Sequence, residues 1–472
     1  MNYPTIAAEP RAPRRQRRAV SIFVVGFIVI AAYAGVRWLS ADANPFRLLR
    51  DPDQRVADRG VEQIASEWKP EYAAMVLNVA PLTMHLGHRE RLFDILRTKT
   101  GQSFANEQVD QWYRWLWSQP PADGNALNRL RYEFYKRNPY PYGTLEIFFE
   151  HDPPLAIRAD EIQWGHLVPA SVPPLRAAAI PAAQATYLAD GDLVFGLRLH
   201  GEARAYPRRI LGQRRIVIDT IGGESITAVY CPFCDAMTAF QSRTTDGTLR
   251  NFGVSGFLYR SNWLIFDLET RSLWYTLTGA PVMGKAVTSG ARLQPCPVVT
   301  TTWKEWRTAN PDTRTLPLPK LDEEDPLDYY SEGAAFRSYF ATDALWQSVP
   351  QLDHRLKNKD QVFIPRPGSN HSPVAVSTAF LAAHPVYPLT LDQEKLLIVT
   401  SAAGANRAFA VGERSFKAGS TIATLLDDKG VAWTVGEEAL TAQGQASLPR
   451  LPGHRSFWFA WHAAYPKTAL IK

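Results

Sequence analysis

The run Leu193-Val194-Phe195-Gly196-Leu197-Arg198-Leu199, its turn His200-Gly201-Glu202 and the return Ala203–Tyr206 decide how the centre of this chain folds. Apolar residues dominate the first arm, alanines and a tyrosine alternate with an arginine in the second, and a glycine sits between them, as in two antiparallel strands joined by a tight turn. The same punctuation continues downstream. Ile216–Ile218 runs into Gly222-Gly223, Ile226–Tyr230 runs into Cys231, and Thr238–Arg243 turns at Asp246-Gly247 to return through Leu249–Phe252. Trp263–Phe266 and Ser272–Tyr275 flank Asp267–Arg271. Short strands with Gly and Asp turns at this spacing predict antiparallel β-structure.

An internal repeat extends the pattern to the C-terminal part. Trp303-x2-Trp306-x4-Pro311-x-Thr313 recurs with identical spacing as Trp458-x2-Trp461-x4-Pro466-x-Thr468. Thr302 and Glu305 form a capping box before the first copy, which predicts a short helix closing each of two lobes. The lobes also begin alike, Asp192-x-Val194-Phe195 against Asp360-x-Val362-Phe363. In this register Cys231–Phe240 falls near Ser401–Phe409, where no cysteine occurs, so the second lobe is expected to be a copy without thiols. Tryptophans at i, i+3 are read as one apolar helix face in a core.

Towards the N-terminus the pattern is helical. Asp51-Pro52, Tyr72–Val79, Arg89–Arg97 and Val109–Trp117 mark successive helices, in pairs whose length suits a small HEAT-like unit. A proline-rich passage from Pro139 to Pro174 follows, read as extended chain wrapped on the main body. Ahead of all this, Arg11, Arg14, Arg15, Arg17 and Arg18 precede the uncharged run Ala19–Val36. As a helix that run spans about 27 Å, enough for a thin hydrocarbon core. The arginines orient it with the N-terminus cytoplasmic and the remainder outside. A cleaved signal peptide ending near Ala41-Asp42-Ala43 is the rival reading; the length of the apolar run favours an anchor.

The expected fold class is α+β: an N-terminal transmembrane helix and short helical region, then a β-rich body with a pseudo-two-fold repeat. The expected divisions are a basic tail and anchor at 1–40, a helical region at 44–150, an extended lead-in at 151–184, a first β-rich lobe at 185–316, a linker at 317–344 and a second lobe at 345–472. The expected location is the inner membrane, single-pass through Ala19–Val36, with the bulk of the chain extracytoplasmic. With 46% hydrophobic and 21% charged residues the chain has the composition of a folded protein. Its net charge of +6 owes much to the N-terminal arginines, and no basic stripe with interleaved aromatics suggests nucleic acid as a partner.

Cys231 and Cys234 form a C-x-x-C pair, two of the 3 cysteines in the chain. In an oxidising space two thiols so close can form a disulfide, exchange one, or hold a soft metal such as copper or zinc. As a staple the pair is poor, because closing so short a loop removes only ~2 kcal/mol of unfolded-chain freedom. A structural zinc site needs four ligands, and neither Cys296 nor the histidines supply a second pair at suitable spacing. His85 and His88 are read as a solvated helix face, and Cys296 as an inert core thiol. A thioredoxin-like motif calls for a helix after the pair, whereas Thr238, Phe240 and Ser242 alternate as in a strand. Gly253-Val254-Ser255-Gly256 lacks the second glycine position of a nucleophile elbow. Asp219 and Asp267 are read as turn formers, and Arg204, Arg208, Arg209, Arg214 and Arg215 as a charged, solvated sheet edge.

Several of these runs together resemble a known family, the domain-of-unknown-function family 3179, over roughly Ile162–Thr468. The resemblance is carried by Gly201–Pro207, Asp219-Thr220-Ile221-Gly222-Gly223, Tyr230–Cys234, Phe252–Gly256, Ser261-Asn262, Ser272-Leu273-Trp274 and Trp303–Thr313. Asp353-x-Arg355-Leu356-x-x-Lys359-Asp360 and Phe457–Thr468 add to it. It implies no particular activity. The family pattern has a His-Glu pair and an Asn just before the Asp of Asp-Thr-x-Gly-Gly, where this chain has Arg214, Arg215 and Ile218.

Two functional expectations follow. The first is a thiol site reachable from solvent, with Cys231 as attacking thiol or soft ligand, Cys234 resolving or co-ligating, and Tyr230, Ser255 and Asn262 lining it. The second is a non-catalytic module that binds a protein partner or a glycan, with the cysteines bracing a turn.

Overall fold

The computed structural model describes residues 44–472 apart from 84, 137–144, 170–171, 177–178, 320–335 and 367–370. The central hairpin forms as its sequence predicts, Leu193–Leu199 pairing antiparallel with Glu202–Pro207 around His200-Gly201. Both turn residues have positive φ, 48° and 81°, the handedness that a two-residue hairpin requires. Val299–Thr302 adds on one side of this hairpin, and Arg314–Thr315 adds on the other side, in parallel.

Between the last two strands lies the short helix Trp303–Ala309, with Thr302 capping the amide of Glu305. Its Trp306 packs on the hairpin where a glycine leaves room: a Cβ at Gly196 would lie 2.2 Å from the indole. The Trp306 indole nitrogen donates to Thr313 Oγ1 at 2.8 Å. The C-terminal copy repeats these details. The Trp461 indole donates to Thr468 at 2.9 Å. The amides of Trp303 and Trp458 donate to the carbonyls of Asp192 and Asp360 at 2.8 Å and 2.9 Å. The strands Gly453–Phe457, Gln361–Pro365, Val374–Ser377 and Ala469–Ile471 lie in the same order as the first set.

The likeness is confined to that frame, and the expected fold class is corrected. In the first half the chain builds two further sheets. One has four strands, with Glu224–Cys231 between Ile216–Ile221 and Ala236–Gln241, and Gln294–Cys296 at its edge. The other has five, centred on Phe252–Tyr259 and Asn262–Asp267. In the second half a single sheet of eight strands runs from Val386–Leu391 to Phe416–Ala418, and its first and last strands approach each other, so it is barrel-like and nearly closed. The body is therefore β-rich without being a two-fold copy of one lobe. The transmembrane segment Ala19–Val36 lies outside the described residues. Among the described residues no helix is long and apolar enough to cross a membrane.

Helices occupy Gln54–Ser66, Glu71–Val79, Leu86–Thr100, Val109–Ser118 and Gly124–Tyr135. Asp53 caps the first, accepting from the Arg55 amide. The last was not marked by the sequence pattern; its buried Arg131 donates to the carbonyls of Ala159 and Ile162. One continuous apolar core joins these helices to the five-stranded sheet and to the cysteine turn. His88 is buried and bonded to Asp58, not on a solvated face. The expected solvated arginine edge is also corrected: Arg204 is buried against Asp219, and Arg209 pairs with Asp192.

Candidate functional site

Cys231 ends the strand Glu224–Cys231, and Cys234 lies in the tight turn that leads to Ala236–Gln241. The Cys234 amide donates to the Cys231 carbonyl at 3.2 Å. Pro232 lends the turn a fixed φ, and Asp235 closes it with a φ of 41°. Asp235 is held in turn by the Tyr230 hydroxyl at 2.6 Å and by the Gln361 amide at 2.6 Å. The result brings the two sulfurs to 3.2 Å from each other as free thiols.

A second turn faces the first. Arg260 and Ser261 join Phe252–Tyr259 to Asn262–Asp267, and both have positive φ, 49° and 70°. Two-residue hairpin turns of this hand favour Asn and Gly; Arg and Ser are strained there. Arg260 is pinned by Glu161, at 2.6 Å and 3.2 Å, and by the Ala463 carbonyl at 2.7 Å. So fixed, the Ser261 carbonyl lies 3.4 Å from the Cys234 sulfur and 3.7 Å from the Cys231 sulfur. The Asn262 side-chain amide donates to the Cys234 sulfur at 3.5 Å, while its oxygen accepts from Thr276 at 2.9 Å.

The two thiols are not equivalent. Burial raises both, but at Cys231 it is outweighed by the hydrogen bond from Cys234, the backbone amides of Trp263 and Cys234 and the charge of Arg215, so its pKa falls below the ordinary thiol value. Cys234 is pushed well above that value by burial and by the neighbouring Cys231 sulfur. The first proton therefore leaves from Cys231. Arg215 lies over the Trp263 ring at 4.6 Å.

Solvent access is corrected. Cys231 is 1% exposed and Cys234 0%. An aromatic layer covers the turn: Phe233 stacks on Trp263 at 5.9 Å and meets the edges of Phe336 and Tyr339, and Trp346 packs on Tyr339 at 5.0 Å. The Tyr339 hydroxyl donates to the Phe233 carbonyl at 2.8 Å. Trp346, at the outer edge of the layer, is 52% exposed.

Of the residues expected to line the thiols, Asn262 does. Tyr230 points to the opposite side of its strand, against Phe195, and serves the turn through Asp235. Ser255 bonds the Leu264 carbonyl at 2.6 Å, where the pairing of its strand is irregular, and does not touch the sulfurs. The sequence reading missed Ser261, Trp263, Tyr275 and Arg215 as neighbours. The run Ser261-Asn262 holds Ser261 itself, and Tyr275 directly follows the run Ser272-Leu273-Trp274. Cys296 is a buried, separate thiol, as expected, on the edge strand Gln294–Cys296.

Zinc does not fit the donor set. Among the described residues no group of three or more His, Cys, Asp or Glu side chains converges to hold a metal, and a structural zinc takes four such ligands. Two sulfurs in contact, one of lowered pKa and the other of raised pKa, suit formation of a mutual disulfide.

The family described as "Protein of unknown function (DUF3179)" matches residues 169–468. No curated protein and no solved structure matches the chain. The matched region takes in the hairpin frame, the cysteine turn, the Ser261-Asn262 turn that faces it and both tryptophan helices, and the chain belongs to the DUF3179 family.

Proposed function

We propose that this protein carries a buried two-cysteine redox centre, in which Cys231 is the attacking thiol and Cys234 the resolving one, interconverting between dithiol and disulfide. The observation that carries the reading is the 3.2 Å contact of the two sulfurs inside a turn braced by Asp235, Ser261 and Asn262. Small rotations about the cysteine side chains close the remaining gap to a bond of about 2 Å. Trapping free thiols after equilibration in dithiothreitol redox buffers tests it. Paired loss of two thiols, abolished in Cys231→Ser, supports the reading; three thiols at every poise contradict it.

We propose further that the body works outside the cytosol, on the strength of the arginine-rich and apolar sequence at residues 11–36. Reporter fusions at the C-terminus test this: activity of a reporter that matures only in the periplasm is expected, and activity of a cytoplasmic one contradicts it.

A second reading has one observation in its favour, the near-complete burial of both sulfurs. On that reading the cysteines are small core residues that brace a turn, and the protein is a scaffold for a protein partner or a glycan. Three free thiols in the folded chain at every redox poise, with wild-type partner or glycan binding in Cys231→Ser, separate it from the first. A stoichiometric copper ion at the pair would replace both.

A further inference from the structure

Three polar atoms close to the thiol turn are buried and have no hydrogen-bond partner among the described residues: Ser261 Oγ, Tyr275 Oη and Trp263 Nε1. Ser261 supplies the carbonyl that both thiols face. Tyr275 lies opposite Leu264 in the adjoining strand and packs its ring on Tyr259 at 5.0 Å; Tyr259 lies opposite Asn262. Alternation along the strand gives Tyr275, Leu264 and Asn262 one shared face, and Asn262 is the residue that bonds Cys234. The two sulfurs raise the Tyr275 hydroxyl electrostatically, after burial itself. Groups buried in this way need a polar occupant, because each orphaned donor or acceptor costs about 1–3 kcal/mol.

The burial of both sulfurs sets the size of that occupant. A protein disulfide cannot reach sulfurs that are at most 1% exposed beneath Phe233, Tyr339 and Trp346. A molecule of two oxygen atoms needs the smallest opening of any oxidant of the pair, and it matches hydroxyl groups as both donor and acceptor.

We infer that the pair is oxidised by a small hydroperoxide, hydrogen peroxide being the type, and that Ser261 Oγ and Tyr275 Oη hold its oxygens beside Cys231. The inference rests on the redox reading of the pair. The Cys231 thiolate attacks one peroxide oxygen; an S–O bond forms and the O–O bond breaks. The departing oxygen carries the electron pair away as hydroxide and leaves as water with the proton Cys231 gave up. Cys231 is then a sulfenic acid, oxidised by two electrons, and the peroxide is reduced by two. The Cys234 sulfur attacks Cys231, forming S–S and breaking S–O, and the second hydroxide leaves as water with the Cys234 proton. In sum, two thiols and one hydrogen peroxide give one disulfide and two waters.

The test uses the full chain, fully reduced, with thiols trapped at intervals after hydrogen peroxide or oxidised glutathione is added at equal concentration. Hydrogen peroxide is expected to oxidise the pair at least about tenfold faster. Tyr275→Phe and Ser261→Ala, which remove one oxygen each, are expected to slow the peroxide reaction about tenfold, and by a larger factor than they slow the reaction with oxidised glutathione. Variants oxidised by peroxide at the wild-type rate would overturn the inference and leave those hydroxyls as partners of buried water. So would oxidised glutathione acting as fast as peroxide. A pair that equilibrates with dithiothreitol but ignores peroxide sinks this inference alone, whereas a pair that never forms a disulfide sinks the redox reading beneath it.

Discussion

The backbone amide of Phe457 donates to the carbonyl of Cys234 at 2.8 Å. Residues 223 apart by the sequence numbering are thereby joined, and the frame of the second half fastens the cysteine turn of the first. Ser456 Oγ adds a longer bond to the same carbonyl at 3.4 Å, and Gln361 reaches Asp235 from the neighbouring strand. Residues of the second half thus hold the cysteine turn of the first.

Gln361→Ala checks that coupling. Asp235 loses a partner at 2.6 Å, which is expected to lower stability by about 1–2 kcal/mol. It is also expected to speed alkylation of Cys231, the thiol that ionises first, by iodoacetamide under native conditions. Urea denaturation and timed alkylation read the two effects; unchanged alkylation would mean that the turn is held without the second half.

Gly196→Ala probes the frame. The added methyl would lie 2.2 Å from the Trp306 ring, so the indole has to move or the strand has to bend. Overpacking of this kind costs about 1–3 kcal/mol. A thermal melt is expected to shift downward by several degrees, and Trp306→Phe in the same chain is expected to recover part of the loss.

How much of this was legible in sequence follows from which interactions are local. The hairpin Leu193–Pro207 was readable because alternation and a glycine turn act over a dozen residues. The two tryptophan helices were readable because their spacing repeats. The strand after Asp246-Gly247 was misjudged: Leu249 only bridges Arg243, and the strand begins at Phe252. The near-closed eight-stranded sheet was not readable, because closure depends on Val386–Leu391 and Phe416–Ala418 meeting in space. Cys231, Cys234 and Asn262, singled out in the sequence, lie together in space. Burial of the sulfurs was not readable, since the aromatic layer comes from Phe336, Tyr339 and Trp346, a hundred residues away by number. Tyr230 falls on the far side from the sulfurs because neighbours along a strand point to opposite faces, and the Ser255 hydroxyl is taken by the Leu264 carbonyl.

His454 gives the protein an acid-sensitive point. Burial, with the Arg366 charge adding to it, pushes its imidazole down to about 3 from an ordinary 6.5. Between those values the unfolded chain binds a proton at this position and the folded chain does not. Stability therefore falls as pH drops through that window, by about 1.4 kcal/mol per pH unit. His454→Gln is expected to flatten this limb in a series of urea denaturations from pH 7 to pH 4. An unchanged slope would show that carboxylates alone set it.

Ser261→Gly separates strain from chemistry. Relief of the φ of 70° is expected to raise stability by roughly 0.5–1 kcal/mol, the left-handed cost offset by a freer unfolded chain. Loss of the hydroxyl is expected to slow oxidation by peroxide, so the variant becomes more stable and less reactive together. Stability and peroxide rate rising together would contradict the role given to the hydroxyl.

The most direct measurement is the intact mass and thiol count of the folded chain across dithiothreitol redox buffers. The account predicts a single two-electron step, with a loss of two hydrogens, a disulfide mapped to the peptide holding Cys231 and Cys234, and Cys296 still free. A chain that keeps all three thiols until it unfolds, or whose first oxidised product involves Cys296, contradicts it.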